Sequence, residues 1–238
     1  MTRSWPMAAL AVSAGAALAL SLSACGSATA QSGTSTSSTS TSSTSTSSNG
    51  VNVRVIGGSD SRFKGTGLDT PYALPTATWT DLDGRAVNWP ADGLPKPVTV
   101  VFFGYTHCPD VCATQLADAA AAMRRLDPGV RSKVGLEFVT VDPARDAAAT
   151  MRSYLARFDP SFVGLIGSLS TIDSSATALG VALTGKATST AAGAGGYEVG
   201  HGAQLIGFGP DRKASVIWLP GTAVGDLRDD LTTLAGDA

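Results

Sequence analysis

The sequence predicts an α/β fold, with a central mixed β-sheet flanked by helices, behind an N-terminal stretch that does not fold. Three observations carry this expectation. Val98 to Phe103 is a continuous apolar run with the β-branched and aromatic content of a strand buried on both faces. The Ala-rich, helix-favouring segment "ATQLADAAAAMRRL" follows it closely. Near the C-terminus the alternation of strand and helix gives way to two strands around a tight turn. The sheet is therefore expected to be parallel first and antiparallel at its end.

The N-terminus is set apart by composition. Arg3 precedes the small-residue apolar stretch "MAALAVSAGAALALSLSA", which has the form of an export signal. That stretch ends in Leu22-Ser23-Ala24-Cys25, which resembles the lipobox of bacterial lipoproteins. The expectation is a signal peptide over residues 1–24 and a lipid on Cys25. A flexible tether then runs over residues 25–66, and the folded domain over 67–238. Residues 27–50 are nearly all Ser, Thr, Ala and Gly, with too little apolar surface to offset chain entropy. Such a protein is held to the cell membrane by its lipid and works on the extracytoplasmic side, where thiols can be oxidised.

Within the folded part, Asp83-Gly84 marks a turn between two short extended pieces. Val98–Phe103 is the first buried strand. Pro109 suits the first position of the helix that follows, with Leu116, Ala120 and Met123 on one face and a stop at Asp127-Pro128-Gly129. "GLEFVTVDP" reads as a second buried strand. "ARDAAATMRSYLARF" reads as a second helix, with Met151, Tyr154, Leu155 and Phe158 at i, i+3, i+4 and i+7. "FVGLIGS" is a short strand, and Ser170 or Thr171 is the expected cap of the helix after it. Residues 185–200 are Gly/Ala/Thr-rich and read as a loop. "AQLIGFGPDRKASVIWLP" is a hairpin turning at Gly209-Pro210-Asp211, and "TAVGDLRDDLTTLAG" is a closing helix. A sheet of this kind, with cysteines where the first strand meets the first helix, is the thioredoxin-like arrangement.

The chain has 238 residues, with 17 Lys and Arg against 19 Asp and Glu, and no basic block. It has no electrostatic footprint for nucleic acid. A monomer is the default expectation. Only three Cys and two His are present, so their placement is informative. With Cys108 as helix N-cap, Cys112 falls about one turn later on the same face. Unpaired backbone N–H groups and the helix dipole there favour thiolate, the form that attacks disulfides and binds soft metals. The spacing serves both chemistries. Redox motifs of the thioredoxin type use two intervening residues, whereas this chain has three. His201, in "YEVGHGAQLIGF", is expected beside the cysteines. Two thiolates and an imidazole suit Cu(I), and with an extra ligand Cu(II). His107 is expected to point away, Asp110 to complement the helix dipole, and Tyr105 and Tyr197 to pack at the rim. Asp142 and Asp146 have the alternative of capping the second helix.

"VVFFGYTHCPDVC", "VTVDPARD", "YLARFDPSFVGLIGS" and "YEVGHGAQLIGF" together resemble the SCO/SenC family, from about residue 72 to the C-terminus. Members of that family are membrane-anchored, thioredoxin-fold copper chaperones that help assemble the dinuclear copper site of cytochrome c oxidase. The resemblance implies copper ligands at Cys108, Cys112 and His201, and nearby supporting carboxylates at Asp142 and Asp146, with Asp110 a further candidate. It implies delivery of the metal to the copper-binding subunit of the oxidase or another copper protein, without catalytic turnover. Two positions depart from the family pattern: Ala113 stands where Pro is usual, and Gly200 where Asp precedes the His. The alternatives are a thiol–disulfide oxidoreductase that keeps target cysteines reduced, a peroxidase-like thiol enzyme, and a plain Cys108–Cys112 disulfide.

Overall fold

The computed structural model describes residues 62–187 and 197–236. The expected signal peptide, Cys25 and all but the last residues of the expected tether lie outside them. No helix among the described residues is long and apolar enough to cross a membrane.

The architecture is a central mixed sheet flanked by helices. Its elements in chain order are β1 (Thr66–Ala73), β2 (Ala77–Asp81), β3 (Ala86–Trp89), β4 (Val98–Gly104), α1 (Val111–Arg124), α2 (Pro128–Arg131), β5 (Val134–Thr140), α3 (Ala148–Leu155), β6 (Val163–Ile166), α4 (Leu169–Ala178), β7 (Leu183–Ala187), β8 (Glu198–His201), β9 (Leu205–Phe208), β10 (Lys213–Trp218) and α5 (Val224–Gly236). The main sheet has the strand order β1-β10-β9-β4-β5-β6-β2-β3. The three strands β4, β5 and β6 run parallel, and every other pairing in the sheet is antiparallel. β4 pairs with β5 along its whole length, from Val98 opposite Val134 to Gly104 opposite Thr140.

Every residue of β4 is buried, which explains its unbroken apolar run. Each fully buried Val or Phe there contributes about 1.5–3 kcal/mol. Phe102 and its register partner Phe138 meet edge to face at 5.9 Å. α1 buries Cys112, Gln115, Leu116, Ala119, Ala120 and Met123, a stripe at i, i+3, i+4, i+7, i+8 and i+11. α5 lies beside it.

Several boundaries differ from those the sequence suggests. α1 begins at Val111 with Asp110 at the N-cap, so Cys108 lies two residues before the cap. The Cys108 N–H is spent in a turn, donating to the Tyr105 carbonyl at 3.2 Å. Asp127-Pro128-Gly129, expected only to stop a helix, also opens the one-turn α2, with Pro128 at its first position. α3 is shorter than expected and its N-cap is Ala147, so neither Asp142 nor Asp146 caps it. The cap of α4 is Ser168, whose hydroxyl accepts the Thr171 N–H, and not Ser170 or Thr171.

Two further differences concern strands. Thr66–Ala73 is an edge strand whose Pro71 sits within a register shift between Gly67 and Tyr72. Pro is tolerated at such an edge, and it hides the strand pattern. Part of the expected loop over 185–200 is an antiparallel ribbon, β7 with β8, separate from the main sheet. Residues 188–196 of that stretch lie outside the described residues.

The chain joins the domain through a clasp. Lys64 and Gly65 donate their backbone N–H groups to Asp230 at 2.7 and 2.8 Å, and the Trp218 indole N–H donates to the same carboxylate at 2.7 Å. Asp230 lies on α5 and is buried, as is Phe63.

Candidate metal centre

Cys108, Cys112 and His201 meet at the C-terminal end of β4. One sulfur from each cysteine and one imidazole nitrogen all lie within 4.8 Å of one another. The sequence separates them by up to 93 residues, and two different supports bring them together.

The cysteine half rests on the main sheet. β4 ends in Gly104, where a Cβ would meet Phe138 at 2.9 Å and the Cys112 sulfur at 3.0 Å. Only Gly lets Cys112 tuck against the strand. The chain then turns through Tyr105 and Thr106. There the fully buried Asp146 accepts the Thr106 N–H at 3.0 Å, the Thr106 hydroxyl at 2.6 Å and the Thr140 hydroxyl at 2.7 Å. Asp146 thus ties the cysteine loop to the end of β5. His107 is exposed, with Nδ1 3.0 Å from the Thr106 hydroxyl and 3.6 Å from Asp146, outside the three-residue group.

The histidine half rests on the ribbon. His201 ends β8, opposite Leu183, and the Gly202 N–H after it donates to the Ala182 carbonyl at 2.7 Å. His201 Nε2 is 3.3 Å from the Cys112 sulfur, and Nδ1 is 2.9 Å from the Gly202 carbonyl. A carbonyl only accepts, so Nδ1 carries the proton and Nε2 presents its lone pair to the sulfurs. The ring packs edge-on against Tyr105 at 5.6 Å, and the Tyr105 hydroxyl accepts the Val199 N–H at 3.4 Å. Tyr197 donates its hydroxyl to the buried Asp142 at 2.5 Å. Arg145 covers the Tyr197 ring at 3.7 Å and donates Nε to the same Asp142. Both tyrosines therefore pack beside the site, as the sequence suggests, and each also makes a hydrogen bond there.

The structure gives the Gly200 departure a steric reason. A Cβ at Gly200 would lie 1.9 Å from the Thr184 hydroxyl and 2.9 Å from the Thr184 carbonyl. Any side chain there must push β7 away. The carbonyl of Gly202 orients the imidazole instead.

The two thiols are free and inequivalent. The Cys108 thiol is pulled far below its usual value, to about 4. The S–H of Cys112 stabilises its thiolate most, with help from the backbone N–H groups of Asp110 and Cys112 against the cost of burial. Cys112, fully buried, is pushed upward because its proton is held between the sulfurs and because burial disfavours its charge. The resting pair is one thiolate and one thiol sharing a proton. Asp110, at the N-cap, makes no side-chain capping bond. Asp110, Asp142 and Asp146 all lie outside the three-residue group.

Sequence reasoning passed over Gln115. It is buried on α1, three residues after Cys112, and its amide donates to the Ala203 carbonyl at 2.8 Å. A polar residue on the apolar stripe of a helix was the available signal.

Comparison with known proteins bears on this geometry. The SCO1/SenC family model matches residues 78–236. The chain belongs to the SCO1/SenC family. A putative copper-binding protein of Stutzerimonas stutzeri is 35% identical over 112 residues, which are 47% of this chain and 53% of that protein. The match thus spans about half the length of that relative. Among solved structures, copper-bound ScoI of Bradyrhizobium japonicum is 31% identical with a TM-score of 0.58, covering 68% of this chain and 99% of that one. Apo Sco1 of Thermus thermophilus is 30% identical with a TM-score of 0.62, covering 76% of this chain and 99% of that one. The thioredoxin-like architecture expected from the sequence is that of these SCO1/SenC relatives.

Proposed function

We propose that this protein is a lipid-anchored, extracytoplasmic copper chaperone that holds copper on Cys108, Cys112 and His201. It passes the metal to the copper-binding subunit of cytochrome c oxidase or another copper protein. The observation that carries the reading is the convergence of two sulfurs and one imidazole nitrogen within 4.8 Å. Two thiolates and a neutral imidazole are soft donors matched to Cu(I). His107 is turned toward Thr106 and Asp146, and among the described residues the group has no fourth ligand for a closed tetrahedral zinc site. The oxidase target and the anchor through Cys25 rest on the family resemblance and on the sequence of residues 1–25.

The residues divide the work. Cys108, already a thiolate and half-exposed, is the first ligand for incoming metal. Cys112 follows, releasing its proton to solvent as the second sulfur–copper bond forms. His201 Nε2, with its lone pair facing the sulfurs, closes the set. Release runs in reverse by ligand exchange, with an incoming thiol or imidazole of the acceptor displacing one ligand at a time.

The same thiolate–thiol pair supports a second reading, a thiol–disulfide reductase, since a low-pKa nucleophile beside a protonated partner is what such exchange requires. His201 separates the two. Cu(I) titrated under reducing conditions against a competing chelator should bind one equivalent to the full chain. Cys108→Ser should weaken it more than a hundredfold and His201→Ala about tenfold or more. Weak binding by the native protein, or no effect of His201→Ala while the dithiol still reduces disulfides, rejects the copper reading in favour of the second.

A further inference from the structure

We propose that Gln115 is the positioning residue that holds His201 against the two sulfurs. The proposal rests on the copper reading above, because it concerns the third ligand of that site. Gln115 is 3% exposed and sits three residues after Cys112, on the same helix and the same buried stripe. Its Nε2 donates to the carbonyl of Ala203, two residues after His201. One buried amide thus fixes the distance between the helix that carries Cys112 and the segment that carries His201.

Beyond the contact of Nε2 with the Cys112 sulfur, the remaining supports of His201 do not reach α1. The Gly202 N–H pairs with Ala182, and His201 Nδ1 pairs with the carbonyl of Gly202. The Val199 N–H reaches Tyr105, and Tyr197 reaches Asp142. Those contacts tie the ribbon to its own flank and to the loops at the end of the sheet. Apart from the His201–Cys112 contact that makes the site itself, the bond from Gln115 is the one, among those described here, that connects the histidine segment to the helix of Cys112. A buried side-chain-to-backbone bond of this kind also cannot be dropped freely, since both the amide and the carbonyl would be left unsatisfied.

The bond needs a donor at position 115. Gln115→Met keeps the length and burial of the side chain but has no donor for the Ala203 carbonyl. Gln115→Leu keeps the burial and removes the bond. Each variant leaves both thiols untouched. Cu(I) therefore still binds one equivalent, but on two sulfurs, with the imidazole only intermittently attached.

The test compares the full chain with Gln115→Met and Gln115→Leu by chelator competition and by the X-ray absorption edge of bound Cu(I), which separates two ligands from three. Expected are about tenfold weaker binding and a shift toward two-coordinate copper in both variants, approaching His201→Ala. Native affinity and a three-coordinate edge in both would overturn the proposal. Hydrogen exchange of the Gly202 amide in metal-free protein provides an independent arm, with exchange about tenfold faster expected in both variants. If the native protein takes up no Cu(I), the copper reading fails by itself. The exchange arm then still decides whether Gln115 holds the segment, and unchanged exchange refutes it.

Discussion

The two halves of the site are built to different standards. The cysteine half springs from β4, all seven of whose residues are buried, and its loop is pinned to Asp146 by two hydrogen bonds from Thr106, while a third from Thr140 holds Asp146 to β5. The histidine half hangs on the β7–β8 ribbon outside the main sheet, where the residues of β8 are half-buried or exposed. On the copper reading proposed above, the fixed half would set where the metal sits and the less embedded half how readily it leaves.

Breaking each half in turn is the most direct way to break the comparison. Asp146→Ala strands the buried Thr140 hydroxyl and the half-buried hydroxyl and backbone N–H of Thr106, and is expected to cost about 3 kcal/mol of stability. For a domain of this size that is a loss of roughly 6–12 °C in Tm. His201→Ala is expected to leave Tm nearly unchanged. Calorimetry on the two variants checks this, and equal losses would show that the halves are equally integral to the fold.

Glu137 sharpens the comparison, because it is a buried carboxyl without the donors that Asp146 has. It lies on β5, 2% exposed, with one carboxyl oxygen unpartnered. Burial pushes its pKa up to about 8, only partly offset by the nearby indole of Trp89. The folded value lies above the unfolded one near 4.5, so the native state binds the extra proton. Its contribution is whole below about pH 4.5 and is lost as pH rises through 8. Between pH 5 and pH 8 the native protein should lose up to about 3 kcal/mol from this group. Glu137→Gln should flatten that slope, measured by urea unfolding at each pH. An identical slope in the variant would show that Glu137 is charged in the fold.

The smallest expected effect concerns Gly200. Gly200→Ala should strain only the ribbon, by about 1 kcal/mol, because β7 can yield where the main sheet cannot. Faster amide exchange at Val199 and His201 with little change in Tm is the expected pattern. Thr184→Ala, which removes the clashing hydroxyl, should relieve part of it. A large drop in Tm would mean that the ribbon is integral to the core.

The same contrast governs what was legible in the sequence. β4, β5, the buried stripe of α1 and the closing hairpin announce themselves, because burial writes apolar residues at fixed periods. Cys108, Cys112 and His201 stand out because thiols and imidazoles are scarce in this chain. The ribbon was hidden, since Leu183, Thr184 and Gly185 and the four residues of "EVGH" include none that is buried and so carry no apolar period, and Gly200 is there for clearance from Thr184. The start of α1 was placed too early, because Pro109 fits a first helical turn and nothing in the local sequence reveals that the Cys108 N–H is already taken by Tyr105. The partner of Gln115 and the links of Asp146 to Thr106 and Thr140 were out of reach for another reason. They are long-range pairings, and only the folded chain reveals which donor meets which acceptor.

The clasp at Asp230 has a mechanical consequence. Any pull applied through the chain before Arg62 arrives first at Lys64 and Gly65, whose N–H groups are bolted to a carboxylate on the last helix. Load is therefore shunted into α5 and, through the Trp218 indole, into β10, before it can peel β1 from the edge of the sheet. Under such a pull the domain would hang from its own C-terminal helix, and the strand carrying the cysteine loop, three places in from that edge, would lie off the line of force.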